Sequence, residues 1–279
     1  MHRTVGIIGA GPAGIACAIQ LRHCGVDFFL VSDGPPGGQL PNAFCIENYP
    51  GLKPMPGTVL ANRFKKHLAR LKISVIDQHI KTIRHNRQKD RFELHSEQDH
   101  FGCEYLVLAT GTQPRRLAGC EIDGRTFYDC RPLFRVKDRT ILIIGSGEAA
   151  LDSALSLARR NKVTVFVKKK NSGGVAKRLL EQVVGNRRIS IVRNSVLTKA
   201  TSKGSEVELI VAGRRYLGHY LLVNIGRNPN VPQSDLSAGV GKWFICGAAR
   251  TGRLGQTAMA VGDGISAAMQ IFAGKSTCR

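Results

Sequence analysis

Two glycine-rich turns of one design, 136 residues apart from Gly9 to Gly145, restrict this chain more than any other feature. The first lies in TVGIIGAGPAGIACAIQL, where a short apolar strand meets Gly9-x-Gly11-x-x-Gly14 and an apolar helix follows. Gly9 makes the tight turn, Gly11 lets backbone approach a pyrophosphate, and Gly14 lets the helix pack on the strand. Pro12 suits a first helical turn, where no amide donor is required. The run VDFFLV, 26–31, then reads as the next buried strand. The second copy, RTILIIGSGEAALDSALSLARRNKVTVFVKKK, repeats strand, Gly145-x-Gly147-x-x-Ala150, helix and a strand over 162–167. One such motif alone is weak evidence, but a complete strand–turn–helix–strand context makes each strong. The fold class is therefore α/β, with two Rossmann-like dinucleotide-binding domains. The length of 279 residues agrees, since two domains of roughly 140 each are expected.

The ends of the second strands separate the nucleotides. An acid there usually accepts ribose hydroxyls, whereas bases favour a 2′-phosphate. Lys168, Lys169 and Lys170 close the later strand, so NADPH is expected over NADH. In the first copy Ser32 and Asp33 stand at that place. The chain carries 41 Lys and Arg against 20 acids, a net charge of +21. Residues 115–244 hold 24 bases and 10 acids, so about half the chain holds two thirds of the excess. Such a field attracts anions (nucleic acid, lipid, phosphorylated cofactors, acidic proteins), or it is simply a solvated surface. No apolar run approaches the roughly 20 residues that span a bilayer. The opening MHRTVGIIGAGPAG enters a glycine turn too early for a signal peptide, and the cytoplasm is the expected location. Cysteines stand at 17, 24, 45, 103, 120, 130, 246 and 278, with no C-x-x-C pair and no zinc-ligand spacing. The eight histidines are scattered, and no metal site or Ser/His/Asp set emerges.

Further motifs resemble a known family. GGQL at 37–40 followed by IENYPG at 46–51, YLVLATGTQPR at 105–115, LLVNIGRNPN at 221–230 and WFICGAARTGRLGQTAMAVGDGISAAMQI at 243–271 accompany the two glycine loops. Together they are similar to the low-molecular-weight thioredoxin reductase group of flavoproteins, including the thioredoxin-reductase-like ferredoxin–NADP reductases. The resemblance spans essentially the whole chain. It implies a homodimer with a discontinuous FAD domain, residues 1–114 plus 245–279, and an NAD(P)H domain over 115–244. Gly9, Gly11, Pro12, Ala13 and Gly14 would hold the FAD pyrophosphate, with Ser32 and Asp33 at the ribose. Gly38, Gln39, Leu40 and Asn48 would line the ribityl and isoalloxazine region. Thr110, Gly111, Gly247, Gln256 and Thr257 would complete the flavin site. Gly145, Gly147, Glu148, Ala149, Lys168, Lys169, Gly226 and Arg227 would hold NADPH. The further arginine that the family carries after the lysine positions is absent, and Asn171-Ser172-Gly173-Gly174 stands there.

Two departures bear on function. The family's C-terminal Gly-Asp, whose carboxylate bonds the ribityl chain, reads Gly247-Ala248 here. Losing that charge-assisted bond costs roughly 1.5–3 kcal/mol, so FAD is expected to be loosely held. Where dithiol reductases carry Cys-x-x-Cys, this chain has Tyr128-Asp129-Cys130-Arg131. One thiol cannot form the intramolecular disulfide that passes electrons onward. The ferredoxin–NADP reductase branch also lacks the pair, but its C-terminal extension over the flavin has no counterpart after Phe272. Three readings stay open. The favoured one is an FAD-dependent NAD(P)H oxidoreductase delivering electrons directly to an acidic redox protein or a small oxidant. Another is a thiol or disulfide reductase using Cys130 with Cys45 or a partner's thiol. The last is a catalytically quiet flavin- or nucleotide-binding module. Nucleic acid is not expected as a partner.

Overall fold

The computed structural model describes residues 1–168, 177–195, 197–236, 242–252 and 255–276. They form two compact units: Met1–Pro41, Ile46–Gln113 and Asn228–Arg279 make one, and Asn42–Cys45 with Pro114–Arg227 make the other.

In the first unit, the strands Ile76–Asp77, Phe28–Ser32, His2–Ile8 and His100–Leu108 lie side by side in parallel. Trp243–Ile245 extends this layer, pairing with Leu106–Leu108. The amino-terminal half of His100–Leu108 instead continues into an antiparallel hairpin, Thr82–Asn86 and Arg91–His95. The strands of the parallel layer are apolar on both faces because both faces are covered. Ile7, Leu30 and Val107 meet the helices Pro12–His23 and Thr257–Ser276 on one side. Ile8, Phe29, Val31, Leu106 and Leu108 pack with Phe92 and Leu94 of the hairpin on the other. The two helices approach closely because the later one contributes glycine at the crossing: a Cβ on Gly264 would lie 2.0 Å from the Ala13 carbonyl oxygen.

The second unit is a five-stranded parallel sheet in the order Ile189–Arg193, Lys162–Val167, Thr140–Ile144, Tyr220–Val223, Thr126–Phe127. Alternation divides its side chains: Ile141, Ile143, Val163 and Val165 face the helices Glu148–Ala158 and Lys177–Val184. Leu142, Phe166, Leu221 and Val223 face a three-stranded antiparallel sheet, Leu197–Lys203, Glu206–Val211 and Arg214–Gly218.

The α/β class with two Rossmann-like sheets is as expected, but the units divide the chain differently at Asn42–Cys45, at Pro114 and from Asn228 onward. Residues 228–236 and 242–244, expected in the inserted domain, cluster with the first unit. Gln233–Ser234 pairs with Thr82–Ile83, and Asp235 accepts the His85 backbone N–H at 3.0 Å. Asn42–Cys45, expected in the first domain, clusters with the second. Among the described residues, no helix is long and apolar enough to cross a membrane.

Candidate functional site

The first glycine loop has the shape its sequence demands. Gly9 adopts φ +102°, and a Cβ there would sit 2.3 Å from the Ala109 carbonyl oxygen. A Cβ on Gly14 would fall 1.8 Å from the Gly9 carbonyl, so helix and turn could not close. Gly11, by contrast, faces open space and caps the helix that Pro12 begins. Unpaired N–H groups at that helix start, with its positive dipole end, are suited to an anion. GGQL is drawn onto the loop: the Gly37 N–H donates to the Ala10 carbonyl at 2.8 Å, and Gly38 is backed against Gly11. Leu40 is buried and Gln39 exposed. Ala13 packs against Gly247, whose own φ is +67°. Thr110 follows the adjacent strand, and its buried Oγ1 has no protein partner. Gly111, at φ +67°, accepts the Asn230 N–H at 2.9 Å. Asn48 donates to Gln256 Oε1 at 2.9 Å, just before the helix that Thr257 begins. Ser32 closes its strand, and the exposed Asp33 carboxylate lies 2.6 Å from His79 Nδ1. An open Gly11, an orphaned hydroxyl at Thr110 and glycines where side chains would intrude form a cradle that fits FAD.

Asp263 was missed from sequence, though it stands between two glycines in the run GDG at 262–264. Its Oδ2 accepts the Gly247 N–H at 2.9 Å and the Arg250 Nε–H at 3.1 Å. A second bond from Arg250 to Oδ1 completes a forked pair. This carboxylate anchors the short helix Ala248–Thr251. Its bonds tie Arg250 and the Gly247 backbone to the last helix.

The second loop repeats the logic. Gly145 is buried at φ +156°, and a Cβ there would meet the Asn224 carbonyl oxygen at 2.2 Å. Ala150 is fully buried behind it and serves as the small third residue of the motif. Gly147 faces open space and caps the helix, with Glu148 and Ala149 exposed in its first turn. Asn224 secures the turn by donating to Ala149 O and Ser153 Oγ, at 3.2 and 3.0 Å. The Gly145 N–H donates to Phe166 O at 3.1 Å, which brings the end of the neighbouring strand alongside the loop. That strand ends at Val167, and Lys168 follows, exposed. Lys169 lies outside the described residues. Gly226, at φ +107°, accepts the Arg115 N–H at 3.0 Å. Arg227 pairs with Asp129 at 3.1 Å.

Cys130 sits at the heart of a polar knot on Asn42–Cys45. Its Sγ lies 3.6 Å from both Asn42 O and Oδ1. Asp129 Oδ1 accepts from Asn42 Nδ2 at 3.1 Å as well as from Arg227. Asp152 Oδ2 accepts the Phe44 N–H at 2.7 Å. Burial pushes the Cys130 thiol up to about 11, with the carboxylates of Asp152 and Asp129 adding in the same direction. Burial also lifts Asp152 to about 6, and Glu148 one turn earlier contributes. No disulfide joins any cysteine among the described residues, Cys45 and Cys130 included. Burial likewise raises Cys103 and Cys246, each to about 12, and Cys17 further still. These are core thiols. No group of three or more His, Cys, Asp or Glu side chains among the described residues is arranged to hold a metal.

Two parallel-sheet units, each with a phosphate loop at a helix start, define a two-dinucleotide oxidoreductase. The chain belongs to the pyridine nucleotide-disulphide oxidoreductase family, whose model matches residues 3–243. It is 29% identical over 220 residues to the thioredoxin reductase of Buchnera aphidicola, covering 75% of this chain and 68% of that one. It is 24% identical to a 34.2 kDa protein in the rubredoxin operon of Clostridium pasteurianum, over 94% of both. Among solved structures, Lactococcus lactis thioredoxin reductase superimposes with a TM-score of 0.86 at 24% identity, covering 97% of this chain and 98% of that one. The thioredoxin reductase of T. acidophilum gives 0.86 at 21% identity over 99% of both. The fold is that of the thioredoxin reductases.

Proposed function

We propose that this chain is an FAD-dependent NADPH oxidoreductase that delivers electrons from flavin directly to an acceptor, with no thiol relay. The carrying observation is the state of Cys130: a single buried thiol, raised to about 11, in a chain with no C-x-x-C. A relay needs two thiols and a reachable thiolate. The stretch Tyr128-Asp129-Cys130-Arg131, where the resemblance implies a pair of thiols, offers one.

FAD, when bound, supplies the hydride-accepting and electron-donating chemistry, and the protein's part is binding and orientation. Gly9, Gly11 and Gly14 shape an anion-receiving turn for its pyrophosphate. The Thr110 hydroxyl offers a buried donor or acceptor beside that turn. Asn48 and Gln256 hold one another and so present a fixed amide pair at the start of the last helix. In the second unit, Gly145 and Gly147 receive the NADPH pyrophosphate, and Lys168 with Lys169 favours the 2′-phosphate. Asp129 holds Arg227 and Asn42, a positioning role. The acceptor class that suits a +21 chain is an acidic redox protein, and a small oxidant is equally compatible.

The test is anaerobic NADPH titration of the FAD-loaded protein, followed by turnover with a ferredoxin, ferricyanide or thioredoxin plus a disulfide. Because several relatives are thioredoxin reductases, thioredoxin is the decisive comparison. Flavin bleaching with turnover to ferricyanide or ferredoxin, and none to thioredoxin, is expected. Brisk thioredoxin turnover abolished by Cys130→Ser or Cys45→Ser would overturn the direct route, and an unbleached flavin would mark a quiet binding module.

A further inference from the structure

The parallel sheet of the second unit gathers bases that are far apart in sequence. In a parallel sheet all strands begin at one end, and the glycine loop occupies the opposite end, after Ile144. Each strand here begins on or just after a basic residue: Arg188 before Ile189, Lys162 itself, Arg139 before Thr140, His219 before Tyr220 and Arg125 before Thr126. Backbone hydrogen bonds tie this row together. Val163 N–H donates to Arg188 O at 2.9 Å, Lys162 N–H to Arg139 O at 2.9 Å, and His219 N–H to Thr140 O at 2.8 Å. The Asp138 N–H reaches Arg160 O at 2.9 Å, and Arg188 Nη1 reaches Arg159 O at 3.1 Å. The three loops entering the central and outer strands, 137–139, 159–162 and 185–188, thus bring together Lys137, Arg139, Arg159, Arg160, Lys162, Arg187 and Arg188. Asp138 is the one acid in those loops. All seven bases are exposed, and none pairs with an acid among the described residues.

Helix ends account for only part of this charge. Arg159 and Arg160 follow the helix Glu148–Ala158, where cations offset the negative dipole end. Two such ends take up a fraction of an elementary charge each, far short of seven cations. The remainder is uncompensated repulsion, which a polyanion would relieve.

We propose that this edge of the sheet is a docking surface for the phosphate backbone of nucleic acid. Two features select that occupant over an acidic protein. Five of the seven bases are arginines, whose planar fork matches phosphate oxygens. The edge also lacks the aromatic or apolar anchor around which protein interfaces organise their binding energy. Among the described residues, Val184 is the one large apolar side chain exposed near it. Backbone binding needs no such anchor, because released counterions supply the free energy. At about 4.8 Å strand spacing, the three adjacent strands that these loops enter set the seven bases across a row about 10 Å wide. The contact reads no sequence.

The test is fluorescence anisotropy of a labelled duplex DNA of mixed sequence with the intact FAD-loaded protein over a salt series. Four to six phosphate contacts predict a slope of log K against log salt of about −4 to −5. Arg139→Glu/Arg160→Glu/Arg187→Glu should weaken binding at least about 30-fold and flatten the slope by about three contacts. The same charge change placed elsewhere, Lys65→Glu/Lys66→Glu with a third exposed base, Arg70→Glu, should leave affinity within about threefold. FAD content and ferricyanide turnover of both variants should match wild type, which separates failure here from failure of the oxidoreductase reading. Equal losses in the two variants would reduce the edge to diffuse charge and overturn the proposal. Poly-glutamate competing as well as DNA at equal charge, or phosphatidylserine vesicles binding more tightly than DNA at equal salt, would overturn the choice of nucleic acid.

Discussion

Asp152 and Cys130 face the same short segment, Asn42–Cys45, and both are held toward their neutral forms by burial. For Asp152 the consequence is a stability that falls with pH. Its folded pKa of about 6 lies above the unfolded carboxyl value of about 3.9, so the native state binds more protons between them. The contribution of the neutral acid is complete below pH 4, declines as pH rises, and is lost above pH 6. Asp152→Asn keeps an oxygen for the Phe44 N–H and removes the buried charge. At pH 7 it should stabilise the protein by about 1–3 kcal/mol, with the gain vanishing near pH 4. Urea midpoints across pH check this, and a variant less stable than wild type at pH 7 would refute it. Cys130 makes a kinetic prediction. At pH 8 a thiol of about 11 holds about 200-fold less thiolate than a free cysteine, so Cys130 should alkylate at least that much more slowly. Cys130→Ser should retain most NADPH-dependent ferricyanide reduction, measured at saturating FAD.

At the scale of elements, glycine acts oppositely at two places on one helix. Within Thr257–Ser276, a Cβ at Gly264 would collide with Ala13 O at 2.0 Å, whereas Gly262 has nothing within 4 Å. Gly264→Ala must push this helix off Pro12–His23, and a cost of about 2–3 kcal/mol is expected with weaker FAD retention. Gly262→Ala meets open space and should gain about 0.5–1 kcal/mol from helix propensity. Thermal denaturation of the pair checks the contrast, and equal destabilisation would mean that helix packing is not what Gly264 serves. The glycine loops were legible because Gly9, Gly11, Gly14, Gly145 and Gly147 declare local backbone geometry. Ala150 was readable as a third position for the same reason. Asp263 was not, because its partners, Gly247 and Arg250, lie across a loop and nothing local in GDG signals a fork to arginine. Nor was the placement of 228–236: Gln233–Ser234 joins Thr82–Ile83 by a pairing about 150 residues long-range, which no periodicity encodes.

For the whole molecule, the proposed FAD and NADPH sites make stability a ligand-dependent quantity. On the proposed function, free energy from FAD would enter through the first unit, at the cradle of Gly9, Gly11, Gly14, Gly38 and Thr110, where the resemblance implies a carboxylate at position 248 and this chain has Ala248. That loss predicts FAD below one per chain after purification, because a missing charge-assisted bond of roughly 1.5–3 kcal/mol weakens affinity tenfold or more. Mass action then works in the open: free FAD at a hundred times its dissociation constant adds about 2.7 kcal/mol. For a unit of this size each kcal/mol moves Tm by about 2–4 °C, so a rise of about 5–10 °C is expected. Ala248→Asp should shift the same titration to at least about tenfold lower FAD and raise the purified flavin content. Lys168→Glu/Lys169→Glu, in the other unit, should leave this titration unchanged while slowing flavin reduction by NADPH much more than by NADH. Differential scanning fluorimetry with an FAD series, read beside the flavin absorbance, decides between outcomes. A melting temperature indifferent to millimolar FAD in both wild type and Ala248→Asp would remove the flavin from the first unit, and the oxidoreductase reading with it.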